Sequence, residues 1–218
     1  MELMKRYQEA VDALFKKVRD TQTDNIIKAG ELLANCIANG GKIVLSEICH
    51  KIQHDLIYRG GGPIFYKHYE EEKHKDTLKA GDVLIVSSVS GRTKAVVDLA
   101  YEMVERGVTV IAFTSMEYAV QVDPVHESGK KLYEFATLTL DNCAPAAEAM
   151  LEVEGIEARF AAASGIASDY IMWNVTSVMV EKLLEMGITP GILKSANFPG
   201  GNDYNKTIIE PHFDEYGY

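Results

Sequence analysis

Apolar residues recur at helical spacing through the first part of the chain, at Val11, Leu14, Phe15 and Val18 and again at Ile26, Ile27, Leu32, Leu33 and Ile37. The pattern predicts helix over residues 4–38, interrupted at Thr21–Asn25, where Thr23 or Asp24 could cap a second helix. Asn39-Gly40-Gly41 supplies the stop. KIVLS at 42–46 reads as a short buried strand, followed by a helix to about Tyr58, a glycine turn over Arg59–Gly62 and a second strand in PIFYKH. The charged stretch Glu70–Lys75 reads as a solvated loop or short helix. VLIVSSV, starting at Val83, is almost uninterruptedly apolar, as expected of a parallel strand covered on both faces. A helix over 93–106 then places Val96, Val97, Ala100, Met103 and Val104 on one side and ends at Gly107. TVIAFTS at 109–115 and LYEFATLTLDN at 132–142 are further strands, and 168–186 is a long helix ending at Gly187. From Pro190 the tail is rich in Gly, Pro and Asn and reads as irregular with one short helix.

Strands alternating with helices predict an α/β fold with a parallel, doubly wound sheet. No repeat, linker or low-complexity segment divides the chain, so residues 1–218 are expected to form one domain. Hydrophobic residues at 47% and charged residues at 25% supply a sizeable core. No apolar run approaches the roughly 18 residues of a membrane span, and the first residues lack a signal-peptide core. Cys36, Cys49 and Cys143 are few and far apart, which suits a reduced compartment and predicts a cytoplasmic protein. A net charge of −10 argues against nucleic acid as a partner but leaves room for a small anion bound by local amides. Neither GxxxxGK[ST] nor GxGxxG occurs, so no nucleotide cofactor is expected.

The candidate chemistry centres on Ser88-Val89-Ser90-Gly91-Arg92-Thr93, between a buried strand and a helix. In open parallel sheets ligands collect beyond the carboxyl ends of the strands. Gly91 permits a tight turn, while the hydroxyls of Ser88, Ser90 and Thr93 and the amides at the helix start could cradle one phosphate without a lysine. The competing reading is structural: Ser90 caps the helix and the other hydroxyls fill a polar turn.

This SxSGxT pattern resembles the phosphosugar loop of sugar isomerase (SIS) domains. The strand ending in Thr114-Ser115, the segment HKIQHDLIYRGGG, Asp141-Asn142-Cys143-Ala144-Pro145, and Ser195-Ala196-Asn197 with Gly200-Gly201 and Asn205 resemble motifs of a bacterial SIS subgroup related to phosphoheptose isomerases. The resemblance implies a three-layer αβα sandwich around a five-stranded, flavodoxin-like parallel sheet. It also implies a homodimer or higher homo-oligomer with sites near subunit boundaries. It assigns the phosphate of a phosphorylated sugar to Ser88, Ser90 and Thr93, with the Val89 and Gly91 amides assisting and Thr114 and Ser115 alongside. The chain departs from the family's glycine- and serine-rich first loop: Leu45-Ser46-Glu47-Ile48-Cys49-His50 carries no glycine, with Cys49 where a serine is expected. Ser46, Cys49 and His50 would then meet another part of the sugar. Glu148 keeps an acid where the subgroup has aspartate, and Tyr204 precedes Asn205 where a histidine is common.

Aldose–ketose isomerisation needs a base that moves a proton between adjacent carbons. Glu148, His54 and Asp55 are the candidates, with Glu47 behind them; each could instead be a surface or capping residue. His50 and His54, four apart, could share a helix face as two metal ligands, but no third ligand is fixed by spacing, and no metal is expected. Cys49 lacks a triad pattern, and Arg59 could face an anionic group or a helix C-terminus. The expected function is that of a cofactor-free sugar-phosphate isomerase. The alternatives are a sensor that retains only the cradle, or a phosphosugar lyase or etherase.

Overall fold

The computed structural model describes residues 1–218. Five parallel strands, β1 (Ile43–Leu45), β2 (Tyr66–His68), β3 (Val83–Ser87), β4 (Thr109–Thr114) and β5 (Leu138–Asp141), form one sheet in the order β2-β1-β3-β4-β5. This is the flavodoxin-like order, whose crevice opens where the winding reverses, between β1 and β3. Successive strand residues face opposite sides of the sheet. Ile43, Leu45, Val83, Ile85, Ile111, Phe113 and Leu140 enter the larger core beneath α1 (Glu2–Ala38) and α5 (Ser164–Glu185). Val44, Leu84, Val86, Val110 and Ala112 pack on the other face against α3 (Lys94–Glu105), through Val97, Ala100 and Met103. The result is the expected three-layer αβα sandwich. Tyr66 ties the edge strand to α5 by a hydrogen bond to Thr176 Oγ1 of 2.9 Å. No helix is long and apolar enough to cross a membrane.

Several elements differ from the sequence pattern. α1 is continuous through Thr21–Asn25. The Thr21 and Thr23 hydroxyls donate to the carbonyls of Lys17 and Arg19 one turn back, and buried Gln22 accepts the Asp141 amide at 3.1 Å. Side chains that favour breaks when unpartnered stay helical here because they are satisfied locally or by the sheet. No helix follows β1. Cys49, His50 and Lys51 instead take left-handed backbone conformations, with φ of 30°, 61° and 75°. A 3₁₀ turn at Ile52–Asp55 follows, with buried Gln53 accepting the Ile48 amide. The second predicted strand is only partly in the sheet, because Gly61–Ile64 pairs with Gly191–Leu193 of the tail. α2 (Glu71–His74) and α4 (Met116–Ala119) are single turns. A 3₁₀ turn at Leu132–Glu134 replaces the first part of the fifth predicted strand.

An antiparallel hairpin, β6 (Ala149–Leu151) with β7 (Phe160–Ala162), was not legible in the pattern. It leans on the exposed start of α1, where Arg6 donates to the Glu152 carbonyl. α5 begins at Ser164, four residues before the expected start. The tail is largely helical: α6 (Gly201–Tyr204) runs through a π-turn at Asn205–Ile209 into α7 (Glu210–Tyr216).

Candidate functional site

The loops that leave the carboxyl ends of β1, β3, β4 and β5 meet above the crevice. Ser88, buried at the end of β3, organises the first of them. Its Oγ lies 2.9 Å from Thr93 Oγ1 and accepts the Thr93 amide at 3.2 Å, so the loop closes on itself. Gly91 turns the chain at φ +69°, and its amide donates to the Ser88 carbonyl. A Cβ at this position would stand 3.2 Å from Ala119 Cβ and 3.3 Å from Thr114 Oγ1, so glycine is required by space as well as by φ. Thr93 occupies the N-cap of α3 but makes no side-chain cap bond. Nor does Ser90 cap the helix; its hydroxyl makes no hydrogen bond within the protein. The amides of Val89, Ser90 and Arg92, and those of Lys94 and Ala95 in the first turn of α3, have no partner in the chain either. The capping reading of this loop therefore fails, and the loop presents a set of unpaired donors at the positive end of a twelve-residue helix.

Thr114 and Ser115 are fully buried and support this loop from behind. The Thr114 hydroxyl donates to the Val89 carbonyl, which also accepts the Ser115 amide. Ser115 Oγ donates to the Ala144 carbonyl at 2.6 Å and accepts the Tyr118 amide, capping α4. Their hydroxyls, expected to face a ligand, are already committed to the protein.

Cys49 is likewise turned inward. Its sulfur lies 2.9 Å from Ser87 Oγ and 3.1 Å from Ser168 Oγ, with Asn142 Nδ2 at 3.7 Å. Burial pushes this thiol's pKa up, and the hydrogen bonds from Ser168, Ser87 and Asn142 act in the opposite direction. A thiol held protonated in this way is a packing and positioning group, not a nucleophile. The polar cluster locks the β1 loop to β3, β5 and α5. Ser46 stands half-buried at the end of β1, its amide donating to the Ile85 carbonyl.

The inward turn of Cys49 pushes His50 outward. Its Nε2 lies 3.0 Å from Glu148 Oε1. Glu148 is held in a left-handed conformation, φ +77°, and the same Oε1 accepts a hydrogen bond from buried Ser164 at the start of α5. A carboxylate, an imidazole and a hydroxyl thus converge from three elements. Because Cys49 touches Ser87, the residue before Ser88, this group adjoins the Ser88–Thr93 loop through two consecutive pairs of neighbours. Left-handed non-glycine residues concentrate here, at Cys49, His50, Cys143, Ala147 and Glu148, as happens where surrounding structure enforces a functional geometry.

His54 and Asp55 do not join this group. No hydrogen bond or ion pair links either to Glu148 or to the Ser88–Thr93 loop. The His54 ring sits 4.9 Å from that of His68, and Asp55 pairs with Arg59. His50 and His54 share no helix face, because His50 lies in the left-handed loop. Glu47 is exposed. Arg59 also lies 6.0 Å from the Trp173 ring centroid, near half-buried Asp169. Ser164, Ser168 and Ser87 were missed as site residues. The one available signal was the i, i+4 spacing of Ser164 and Ser168, hidden by placing the helix start four residues late.

Burial and then the charge of Asp55 raise the pKa of Asp169, with Arg59 opposing them. Its Oδ1 is buried without a partner. A carboxyl whose folded-state pKa is raised adds stability below the unfolded value of about 3.9 and loses it as pH rises through the folded value. Asp169→Asn, neutral throughout, is therefore expected to raise the melting temperature at pH 7 by roughly 2 °C and to leave it unchanged near pH 3. Paired thermal melts check this; an equal shift at both pH values would exclude ionisation as the cause.

Residues 65–115, from the approach to β2 through the end of β4, match the SIS domain. A UPF0309 protein of Oceanobacillus iheyensis is 30% identical over 245 aligned positions, covering 100% of both chains. Another, of Halalkalibacterium halodurans, is 30% identical over 238 positions, covering 96% of each. Among solved structures, a protein of Escherichia coli CFT073 in complex with a phosphosugar superposes with a TM-score of 0.56 at 18% identity, covering 86% of this chain and 92% of that one. Phosphoheptose isomerase from Neisseria gonorrhoeae gives 0.52 at 15% identity, covering 83% and 96%. At these identities the structural likeness is one of fold.

Proposed function

The chain belongs to the UPF0309 family and carries a SIS-domain segment at residues 65–115, and on that footing we propose that it binds a phosphorylated sugar and isomerises it between aldose and ketose without a cofactor. The observation that carries the reading is the set of unpaired donors in Ser88–Thr93 and the first turn of α3. Amides fixed by the fold and aimed from a helix start suit a phosphate dianion, because they need no reorganisation when the anion arrives. The neighbour in complex with a phosphosugar and the neighbour that is a phosphoheptose isomerase support the same assignment.

With the phosphate in this cradle, Glu148 is the base. It takes the proton from the carbon beside the carbonyl and returns it to the former carbonyl carbon, through an enediol. His50, hydrogen-bonded to the same carboxylate, can donate to the oxygen on which charge develops, and Ser164 fixes the carboxylate's orientation. A sensor that only binds is the second reading, favoured by the first loop, where Cys49 turns inward and no glycine admits the sugar backbone closely.

A panel of pentose, hexose and heptose phosphates is expected to raise the melting temperature, whereas the free sugars are not, since only a ligand of the folded state stabilises it. No shift with any phosphate ester would remove the phosphosugar reading. Exchange of the C2 proton of a bound ester into deuterated water then separates isomerase from sensor.

A further inference from the structure

Lys131 is only 8% exposed, yet its ammonium forms no ion pair. It donates to two carbonyls, Ala119 at 2.5 Å and Val122 at 2.9 Å, and lies 5.7 Å from the Tyr133 ring centroid. An ammonium removed from water costs stability unless a counter-charge or full hydrogen bonding compensates it. The helix end it meets, α4, is a single turn and offers little dipole.

The position of this charge is informative. The next residue, Leu132, donates its amide to the Gly91 carbonyl at 2.8 Å. Ala119, whose carbonyl holds Nζ, and Tyr133, beside Nζ, are two of the nearest neighbours that a Cβ on Gly91 would meet, at 3.2 and 3.7 Å. Lys131 therefore lies directly behind the Gly91 turn, on the protein side of the loop whose outer amides are unpaired. The segment that carries it is fastened to α3 by His126, whose Nε2 lies 3.0 Å from Asp98 Oδ1.

We propose that Lys131 is a positioning residue for anion binding: a buried positive charge behind the Ser88–Thr93 loop whose counter-charge is the second negative charge of a bound phosphate ester. The inference rests on the phosphosugar reading and deepens it, because it explains how a loop of hydroxyls and amides with no basic side chain in the cradle would prefer a dianion. The cation acts through the loop without touching the ligand, and its field is little screened because it is buried.

The test uses methyl phosphate, close to a dianion at pH 8, and methyl sulfate, a monoanion of nearly the same shape. Both are titrated into the ¹⁵N-labelled protein while the amides of residues 89–95 are followed by NMR. The unaltered chain is expected to bind methyl phosphate more tightly. Lys131→Met should lower that preference by about tenfold, and Lys131→Arg should restore most of it. The amide spectrum itself reports whether each variant is folded, and Lys131→Gln is the second neutral variant if Met disrupts the loop. Equal weakening of both esters in the neutral variants, or no weakening, would overturn the proposal, since a merely structural staple affects both alike. If the unaltered chain binds neither ester at these amides, the phosphate-cradle reading itself fails, and this inference with it.

Discussion

Glu148→Gln is expected to slow exchange of the C2 proton of a bound sugar phosphate by about 10²- to 10⁴-fold, the range lost when a positioned general base is removed. Glutamine keeps the shape of the side chain, and its oxygen can still accept from Ser164. The left-handed conformation at residue 148 and the contact with His50 are therefore retained. Affinity for the phosphate ester should change by less than about threefold, because its phosphate is held by Ser88–Thr93 and the start of α3. The measurement is proton NMR in deuterated water, at ester concentrations that saturate both forms. Undiminished exchange in a variant that still binds would move the base elsewhere, with His50 the next group to examine. Loss of binding together with exchange would show that Glu148 holds the sugar and does not act on it.

The largest effect on stability is expected from Gly30→Val, at the crossing of α1 and α5. A Cβ on Gly30 would stand 2.5 Å from Val178 Cβ and 3.0 Å from the Val175 carbonyl oxygen, so the helices touch backbone to side chain. α5 cannot retreat locally, because Ile171, Val175 and Met179 bury its other side in the main core. Overpacking of this kind costs about 3 kcal/mol, or a fall in melting temperature of roughly 6–12 °C for a chain of this size. Val178→Ala placed in the same chain should recover part of the loss, since the two side chains would compete for one space. A thermal melt of Gly30→Val indistinguishable from that of the unaltered chain would mean the helices do not cross at this contact.

The fold was legible because its main signals are local. The apolar runs of β3 and β4 record burial on both faces. The glycine stops after α1, α3 and α5 mark where helices end. Elements that depend on distant partners were misread. Thr21–Asn25 has the composition of a break, and stays helical because two hydroxyls bond back within the helix and Gln22 reaches Asp141. Ile48–Asp55 looked helical by periodicity, yet the bonds of Cys49 to Ser87 and Ser168 and of Gln53 to Ile48 hold it as a left-handed loop and a 3₁₀ turn. In the hairpin at 149–162 both strands are only three residues long, too short for a period to register.

By itself, then, the sequence determined an α/β sandwich and the place of an anion-binding loop, since strand burial, helix spacing and the run Ser88–Thr93 act over a few neighbouring residues. Tertiary structure decided which polar groups face outward. It committed Thr114, Ser115 and Cys49 to holding the loops, paired Asp55 with Arg59, and brought His50 and Ser164 to Glu148 across 98 and 16 residues of chain respectively. Hydrogen-bond partners so far apart are set by how the sheet's loops pack, and no local pattern records that packing.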